Sequence, residues 1–497
     1  MAKDVIIIGA GVGGLATGVR LLSKGYNVKI IEKNSFVGGK TGVIKTSYGN
    51  MDLSASIAMI IDDYIELFED IGKNYKDYIK LIPLKNIYTI FKKSMKPINL
   101  SMNMGELTYN LDKLSSNESL GYMEFLSSSY KKYIIANDTF LNRSFSSSRD
   151  FFNLGNMEKI LDMNPFSNSY DYISQYLSNE TLKNALAFQT MYIGVSPYES
   201  SNIYTLIPAV CQIKGIYHIG GGMYSFIKAL EDLVIQLGGI IETGNEVEEI
   251  IINQGKAVGV KTKLGKEHGD IVVCNSDFPT AINELIKDNK VKGKYSEENI
   301  RDLKYSCSTF IAHLVVNKIY DNLNVHNIYL GKNFRENIEG PFKGKIPKEP
   351  SYYIYYPNAV DRFLDLPSCN YINVMMRVPN LLFKNTQWND ELIHNLRCQI
   401  LSDLRHIDGM KNIDRDIIYE EYTTPLNFKE QFNTYGGCAF GLSQTLKQTN
   451  YFRPQTKINT IKNLYFVGAS THPGTGVSMV LKSSKICVKE ILKENSI

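Results

Sequence analysis

The 497-residue sequence predicts an α/β fold in which a parallel sheet is assembled from separate parts of the chain. Three observations predict this fold class. An apolar run at residues 5–8 precedes a glycine-rich turn and an amphipathic helix. A second strand, glycine loop and amphipathic helix follow at residues 463–492. Between them, glycine becomes scarce from residue 74 to residue 209, which indicates an inserted unit of different character.

The N-terminal motif has the order and spacing of a dinucleotide-binding unit. The β-branched run at 5–8 suits a strand buried on both faces. Gly9, Gly11 and Gly14 then follow the GxGxxG spacing. The first glycine permits a tight turn, the second lets backbone approach a pyrophosphate, and the third lets the helix pack on the strand. The N-terminal amides of that helix point at the phosphates.

An acidic residue ends the second strand of this unit. Glu32 follows the run at 28–31, where a carboxylate can accept hydrogen bonds from ribose hydroxyls. These features leave NAD and FAD as alternatives. The glycine pair and lysine at 38–40 favour FAD, because glycines let backbone pass close to a cofactor and the lysine adds positive charge.

Composition argues against several classes of protein. Hydrophobic residues at 43% and charged residues at 21% are ordinary for a folded soluble chain, and a net charge of +4 is too small to imply nucleic acid. The seven cysteines are odd in number and lack CxxC spacing, which favours a reducing cytosol over a disulfide framework. The seven histidines lack metal-ligand spacing, and no apolar run is long enough for a spanning helix.

Hydrophobic periodicity assigns the other elements. A hairpin is predicted at 41–51, and a helix at 54–72 has one apolar face formed by Ile57, Ile60, Ile61, Tyr64 and Phe68. Further helices are predicted at 123–134, 157–161, 224–237, 389–404 and 477–492. Strands are predicted at 240–241, 247–252, 257–262, 271–274, 310–316, 352–356, 371–378 and 463–467.

The chain is long enough for two or three domains, and the composition shifts divide it into five segments. Segments 1–73, 215–290 and 425–497 are predicted to build the cofactor-binding domain. Segment 74–214, mainly helical, and segment 291–424 are predicted to supply a substrate domain. In the helical segment, Lys131, Lys132, Arg143 and Arg149 could contact anionic lipid heads, although a solvated basic face and loop is the favoured alternative.

The C-terminal stretch NLYFVGASTHPGTGVSMVLKSSK, at 463–485, closely resembles the signature of the bacterial phytoene desaturase family, which includes the dehydrosqualene desaturases. The resemblance covers most of the chain. It includes the GxGxxG motif with its acidic residue, GIYHIGGGM at 215–223, NEVEEI at 245–250 and YGG at 435–437. The THPGTG turn is far more specific than GxGxxG.

This resemblance implies a discontinuous Rossmann-like FAD-binding domain of the glutathione-reductase type, with an inserted mixed α+β substrate domain. It also implies a cytoplasmic enzyme attached peripherally to the inner face of the cell membrane. The implied cofactor-binding residues are Gly9, Gly11, Val12, Gly13, Gly14, Glu32, Lys33, Gly38, Gly39, Lys40, Val247, Gly468, Gly474, Gly476 and Val477. Lys40 stands where the family usually has arginine, which keeps the charge but loses the bidentate fork.

The implied reaction is the FAD-dependent desaturation of a linear isoprenoid polyene such as phytoene or dehydrosqualene. No side chain can accept a hydride, so the flavin must do so, and a neighbouring proton then leaves the substrate. Such a site needs a dry, shaped tunnel and electrostatic support more than a strong base. His472 and Asp52 are candidate catalytic residues, but a turn-stabilising histidine and a loop-orienting aspartate are the alternatives.

Other activities stay open. Within the same family, a carotenoid or retinoid isomerase, a saturase or an oxygenase is possible, and an amine oxidase on the same fold is less favoured. A non-catalytic prenyl-binding escort protein belongs to a different class. Its expected mark is the loss of the pyrophosphate glycines, whereas Gly9, Gly11, Gly14 and Gly474 are all present. The oligomeric state is not predicted.

Overall fold

The computed structural model describes residues 2–361 and 369–495 of the chain. The outermost residues of the predicted segments 1–73 and 425–497, and residues 362–368 of segment 291–424, lie outside this description. The strands are β1 (Asp4–Ile8), β2 (Asn27–Ile31), β3 (Val43–Thr46), β4 (Gly49–Asp52), β5 (Ala58–Met59), β6 (Leu81–Pro83), β7 (Asn86–Lys92), β8 (Ile98–Ser101), β9 (Ile216–Ile219), β10 (Ile240–Glu242), β11 (Val247–Asn253), β12 (Lys256–Thr262), β13 (Gly265–His268), β14 (Ile271–Cys274), β15 (Ser308–Val316), β16 (His326–Leu330), β17 (Tyr352–Tyr355), β18 (Asn370–Val378), β19 (Ile417–Thr423) and β20 (Leu464–Phe466).

The helices are distributed among these strands along the chain. They are α1 (Val12–Leu22), α2 (Asp62–Glu69), α3 (Met104–Asp112), α4 (Glu118–Ala136), α5 (Ser148–Phe151), α6 (Leu154–Met163), α7 (Ser169–Ser174), α8 (Glu180–Phe188), α9 (Leu206–Lys214), α10 (Met223–Gln236), α11 (Phe278–Thr280), α12 (Glu297–Arg301), α13 (Phe334–Glu339), α14 (Asp390–Leu404), α15 (Ile413–Asp416), α16 (Pro425–Phe432) and α17 (Val477–Asn495). Within the described ranges, no helix is both long and apolar enough to cross a membrane.

A five-stranded parallel sheet lies at the centre of the fold, in the order β10, β2, β1, β14, β20. Every neighbouring pair in it is parallel. Its strands come from the beginning, the middle and the end of the chain, so the sheet closes only when distant parts meet. This arrangement confirms the predicted α/β class and the predicted strands at 5–8, 28–31, 271–274 and 463–467, within a residue or two at their ends.

Both faces of this sheet are buried, which explains the near-continuous apolar runs of its strands. On one face, Ile7 of β1 packs with Leu15 of α1, Leu230 of α10 and Leu481 of α17. On the other face, Ile6 belongs to a core that includes residues of the antiparallel β11, β12 and β13 sheet. Successive residues of β1 therefore pack into two different hydrophobic cores, one on each face of the sheet.

A second, seven-stranded sheet has the order β19, β15, β18, β17, β16, β7, β8. Its pairs are antiparallel except for β16 with β7. Strands β7 and β8 lie in segment 74–214, so the prediction that this segment is mainly helical missed a sheet component. The middle of β7 is buried at five successive residues, so the period-two alternation that marks a half-exposed strand is absent.

The predicted helix at 54–72 is wrong in its first half. Ala58 and Met59 form strand β5 and pair antiparallel with β9, and Ile60 has a φ of +52° that interrupts any helix. Helix α2 begins only at Asp62. Tertiary pairing with β9, which local periodicity cannot reveal, overrides the helical pattern there.

One of the four basic residues considered for lipid contact or a solvated face is not at the surface. Lys132 is buried, and its Nζ donates to Asn202 Oδ1 at 2.8 Å and lies 3.4 Å from the centre of the Tyr172 ring. Burial lowers the pKa of Lys132 to about 7. Lys131, Arg143 and Arg149 are exposed, as the prediction requires.

Candidate functional site

A cavity of about 920 Å³ lies between the five-stranded parallel sheet and the seven-stranded sheet. Its wall combines residues that follow the carboxyl ends of β1, β2, β14 and β20 with residues of β15, β17 and β18. The carboxyl ends of parallel strands are where open α/β sheets bind ligands. The predicted cofactor residues on this wall are Gly9, Gly11, Val12, Gly13, Glu32, Lys33, Gly38, Gly39, Lys40, Val247, Gly468, Gly476 and Val477.

We call residues 9–13, 32–33 and 38–40 the nucleotide cradle. Helix α1 begins in this cradle, with Gly11 as its N-cap residue. No side chain caps this N-terminus and its first turn contains no acidic residue, as far as the described chain shows. The first amides of a helix lack partners within the helix and carry a partial positive charge, so this end fits a pyrophosphate.

Two predicted glycines act behind the wall of the cavity. A Cβ atom at Gly14 would lie 2.0 Å from the carbonyl oxygen of Gly9, so this glycine is what lets α1 pack against the preceding strand. A Cβ at Gly474, where φ is +145°, would lie 2.1 Å from Gln444 Nε2. Gln444 itself lines the cavity, so Gly474 contributes to its shape indirectly.

Glu32 is held in place by the backbone around it. Its Oε2 accepts the Ala10 N–H at 2.8 Å, and its Oε1 accepts the backbone and side-chain N–H groups of Asn34, both at 2.9 Å. A carboxylate offers about four acceptor positions, so these three bonds leave capacity for one more donor. The carboxylate is thus oriented towards the cavity with an acceptor available for a ligand hydroxyl.

The two cradle lysines are tied to the C-terminal part of the chain. Lys33 Nζ donates to the carbonyl of Glu430 and to Asn433 Oδ1, each at 2.5 Å. Lys40 Nζ donates to the carbonyl of Ala439 at 2.9 Å, and burial lowers the pKa of Lys40. Val247, at the start of β11, lines the same cavity, as the sequence predicted.

Asn275 lines the cavity beside the nucleotide cradle and was missed by the sequence reasoning. Its Nδ2 donates to the carbonyl of Gly9 at 3.2 Å, and its side chain is the nearest neighbour of a Cβ atom placed at Gly11 or Gly13. The signal was present, because Asn275 directly follows β14 at the carboxyl edge of the parallel sheet. Asp277, two residues later, accepts the Tyr435 N–H at 3.0 Å and the Ser470 hydroxyl.

Asp52 lies behind the cavity wall. It is buried, and its two oxygens accept the N–H groups of Met223 and Tyr224 at 3.0 Å each, at the start of α10. The hydroxyl groups of Tyr355 and Tyr371 donate to Oδ2 at 3.1 and 3.3 Å. Burial raises the pKa of Asp52, and these hydrogen bonds oppose the shift. Its contacts are those of a residue that orients a loop and caps a helix.

His472 is fully buried and does not line the cavity either. Its Nε2 lies 3.1 Å from the carbonyl oxygen of Phe140, and its ring packs against Phe145. Burial lowers the pKa of His472 to about 4, so the ring is neutral at pH 7. These contacts match the turn-stabilising alternative.

The rest of the cavity is mainly apolar, and we call this part the apolar arm. It is lined by Tyr133, Ala136, Phe140, Ile193, Ile203, Leu206, Ile207, Ile311, Met375 and Phe440. Tyr353 is a polar exception: its hydroxyl lies 2.6 Å from His326 Nδ1 and 2.9 Å from Ser56 Oγ. Burial lowers the pKa of His326 to about 3, so this ring is also neutral.

Comparison with known proteins identifies the family. The model of the flavin-containing amine oxidoreductase family matches residues 12–492. The chain is 36% identical over 494 residues to a 4,4'-diapophytoene desaturase (4,4'-diaponeurosporene-forming) of Staphylococcus haemolyticus, covering 99% of both chains. It is also 36% identical over 495 residues to the desaturase of the same description from Staphylococcus aureus strain MRSA252, again covering 99% of both.

Solved structures share the fold. An oxidoreductase from Methanosarcina mazei has a TM-score of 0.65 and 17% identity, covering 99% of this chain and 100% of its own. Wild-type putrescine oxidase bound to putrescine has a TM-score of 0.65 and 11% identity, covering 99% of each chain. The chain therefore belongs to the flavin-containing amine oxidoreductase family and, within it, to the carotenoid and dehydrosqualene desaturases, and is an oxidoreductase that uses FAD.

Proposed function

We propose that this enzyme desaturates a linear isoprenoid polyene, such as dehydrosqualene or phytoene, that lies in the apolar arm. The observation that carries the proposal is the continuity of one cavity from the nucleotide cradle to the apolar arm. A polyene has no polar group to recognise, so its binding free energy must come from buried apolar contact. The activity named for the staphylococcal relatives supports the same assignment.

The cradle fits FAD in its shape and its donors. Gly11 and Gly13 carry no side chain at the N-terminus of α1, and Glu32 has capacity to accept one more hydrogen bond. A Cβ at Gly476, where φ is +104°, would meet no protein atom within 4 Å, so that glycine borders open space on the cavity wall. We propose that these residues hold the adenosine diphosphate half and that Gly476 and Val477 border the flavin half. Bound flavin supplies the hydride acceptor that no side chain provides.

The residues of the chain then have to exclude water and take the released proton. The apolar arm provides a dry environment in which charge developing on the substrate is not quenched by solvent. We propose that Tyr353 Oη receives the proton from the substrate while its own proton moves to His326 Nδ1, 2.6 Å away. A neutral imidazole with its proton on Nε2 accepts at Nδ1, and the carbocation left by hydride loss is acidic enough to protonate even His326, whose pKa burial lowers to about 3.

We further propose that the protein docks on the inner face of the cell membrane through an apolar surface beside the cavity. This entrance patch consists of Phe152, Leu154, Leu161, Phe166 and Phe452, all exposed. Leu154 and Leu161 are 91% and 67% exposed and lie two turns apart on α6. Met163, at the end of the same helix, lines the cavity, so a lipid-borne substrate would reach the apolar arm from this side.

Vesicle sedimentation tests the entrance patch. We expect the double variant Leu154→Asp, Leu161→Asp to lose most binding to neutral phosphatidylcholine vesicles, because apolar insertion supplies the binding. Leu264→Asp is the matched control, since Leu264 is 77% exposed in the turn between β12 and β13. An equal loss of vesicle binding in the control, or no loss in the double variant, contradicts the assignment of the entrance patch to membrane docking.

Product analysis tests the reaction. Purified holoprotein, yellow from its flavin, is mixed with vesicles that contain dehydrosqualene or phytoene, and the products are separated and their spectra recorded. We expect products with longer conjugation and redder absorption. An isomerase or saturase would instead require reduced flavin and give no net oxidation. A flavin-bound protein that leaves both substrates unchanged while acting on another polyene would refute the proposal.

A further inference from the structure

The apolar arm contains a buried cation without a counter-ion. Arg377, on β18, is 5% exposed and lines the cavity. Its Nε donates to the carbonyl of Met191 at 3.0 Å, but its buried Nη1 has no hydrogen-bond partner. In residues 2–361 and 369–495, no acidic side chain lies within ion-pair distance of the guanidinium.

An arrangement of this kind is costly without a ligand. A guanidinium stays protonated in proteins, so burial does not remove its charge. A buried charge loses its solvation by water, and here the Met191 carbonyl and the Phe440 ring return only part of that loss. An apolar polyene would remove more water from Arg377 and offer it no acceptor. An acceptor for Arg377 Nη1 therefore has to come from a molecule that enters the cavity with an oxygen or nitrogen acceptor of its own.

A second unpaired polar atom lies beside Arg377. Thr309 is its direct cross-strand partner on β15, and Thr309 Oγ1 is buried without a hydrogen-bond partner. Thr309 also lines the cavity. The ring of Phe440 lies 5.0 Å from the guanidinium carbon and leaves the edge of the fork free for a ligand. Together, Arg377 and Thr309 present N–H and O–H donors to one point of an otherwise apolar wall.

The surroundings specify the rest of the ligand. Ile311 and Met375 stand two residues from Thr309 and Arg377 on the same strands, and both line the cavity. Alternate residues of a strand share a face, so the donors and these apolar side chains belong to one surface. A ligand that satisfies this surface has a long apolar body and one anionic oxygen group at its end.

We propose that Arg377 and Thr309 bind the carboxylate of a long-chain acid whose tail occupies the apolar arm. A carboxylate matches the guanidinium fork in shape and charge, whereas an alcohol offers a single neutral oxygen. The acid has two possible sources: a membrane fatty acid, or a polyene oxidised at its end. In either case the acid would compete with an apolar substrate for the same space. The proposal concerns binding and does not depend on desaturation.

Equilibrium titration of the holoprotein tests this site without turnover. The flavin spectrum or calorimetry is followed at about pH 8 with hexadecanoate and with hexadecanol, which differ only in the end group. We expect the acid to bind at least about tenfold more tightly. Retinoate and retinol form the second pair, and the pair with the greater preference identifies the source. Equal affinity of acid and alcohol in both pairs overturns the proposal.

Variants assign the preference to the two residues. We expect Arg377→Gln to abolish the acid preference while alcohol binding stays within about threefold, and Arg377→Lys to retain part of it because the charge remains. Arg397→Gln, which changes an arginine paired with Glu420 at 2.8 Å, is the control and should keep the full preference. If Arg377→Gln does not fold, Thr309→Val serves instead and should weaken acid binding alone. A preference that survives Arg377→Gln or Thr309→Val contradicts the site.

Discussion

Replacement of Glu32 by glutamine tests how the cradle holds the cofactor. The substitution keeps the size of the side chain but turns one acceptor oxygen into an NH₂ donor. In the native chain both oxygens already accept protein N–H groups, Oε2 from Ala10 and Oε1 from Asn34. Whichever way the new amide lies, a donor then faces a donor. One buried N–H therefore loses its acceptor.

The geometry sets the size of the effect. A buried N–H without an acceptor costs about 1–3 kcal/mol, so we expect a loss of that size in the free energy of unfolding of the apoprotein. In the proposed binding mode, the ribose hydroxyl also loses a charge-assisted hydrogen bond to Glu32, worth about 1.5–3 kcal/mol. Since about 1.4 kcal/mol is a factor of ten, the dissociation constant for FAD should rise about 10- to 100-fold.

Reconstitution of the apoprotein with FAD, followed by quenching of flavin fluorescence, measures this change. Glu267→Gln is the control, because Glu267 pairs with Lys29 at 2.8 Å and does not line the cavity. We expect that variant to bind FAD as the wild type does. An FAD affinity of Glu32→Gln within about threefold of the wild type would refute the role given to this carboxylate.

Three further changes test other parts of the structure. Gly14→Ala places a Cβ 2.0 Å from a backbone oxygen and should cost more than about 3 kcal/mol of stability in urea unfolding. Gly18→Ala, whose Cβ would meet side-chain methyl groups with the nearest at 3.0 Å, should cost far less, and a similar loss of stability in both variants contradicts the packing argument. Tyr353→Phe removes the hydroxyl that contacts His326, and we expect kcat to fall about 100-fold while the flavin spectrum stays unchanged. An unaltered kcat excludes the proposed proton path. The folded pKa of His472, about 4, lies below its unfolded value of about 6.5, so its stabilising contribution is complete above pH 6.5 and is lost as pH falls towards 4. His472→Gln should therefore remove about one proton from the pH dependence of the free energy of unfolding between these values. An unchanged pH dependence would show that the ring is already charged in the folded protein.

The parts of the fold that the sequence predicted are those in which local pattern and tertiary role agree. The apolar run before Gly9 is buried on both sides, and the spacing of Gly9, Gly11 and Gly14 reflects contacts within a single strand–turn–helix unit. The THPG turn linked this unit to the C-terminal strand and helix. The sequence therefore predicted most of the residues that line the cradle side of the cavity, and their contact with the cofactor stays a prediction.

The parts that were missed depend on distant partners. Residues 58–59 have a helical pattern but pair with β9, and the strand character of β7 comes from its place between β8 and β16. Lys132 has the sequence context of a surface lysine, yet Asn202 and Tyr172 enclose it. Arg377 gave no signal at all, because one arginine in a β-branched and methionine-rich run has no spacing to interpret.

The distribution of the central sheet along the chain has a consequence for biosynthesis. Thr17 of α1 contacts Ser484 of α17 at 3.0 Å although the two residues are 467 positions apart, and the outer neighbour of β14 in the sheet is β20. On the ribosome, the glycine turn thus emerges long before the elements that cover it. Contacts between residues so far apart in sequence make folding slow, and the apolar strands stay exposed until their partners are available. We infer that nascent chains stay dependent on chaperones, and that FAD does not bind stably, until β20 and α17 have emerged from the ribosome.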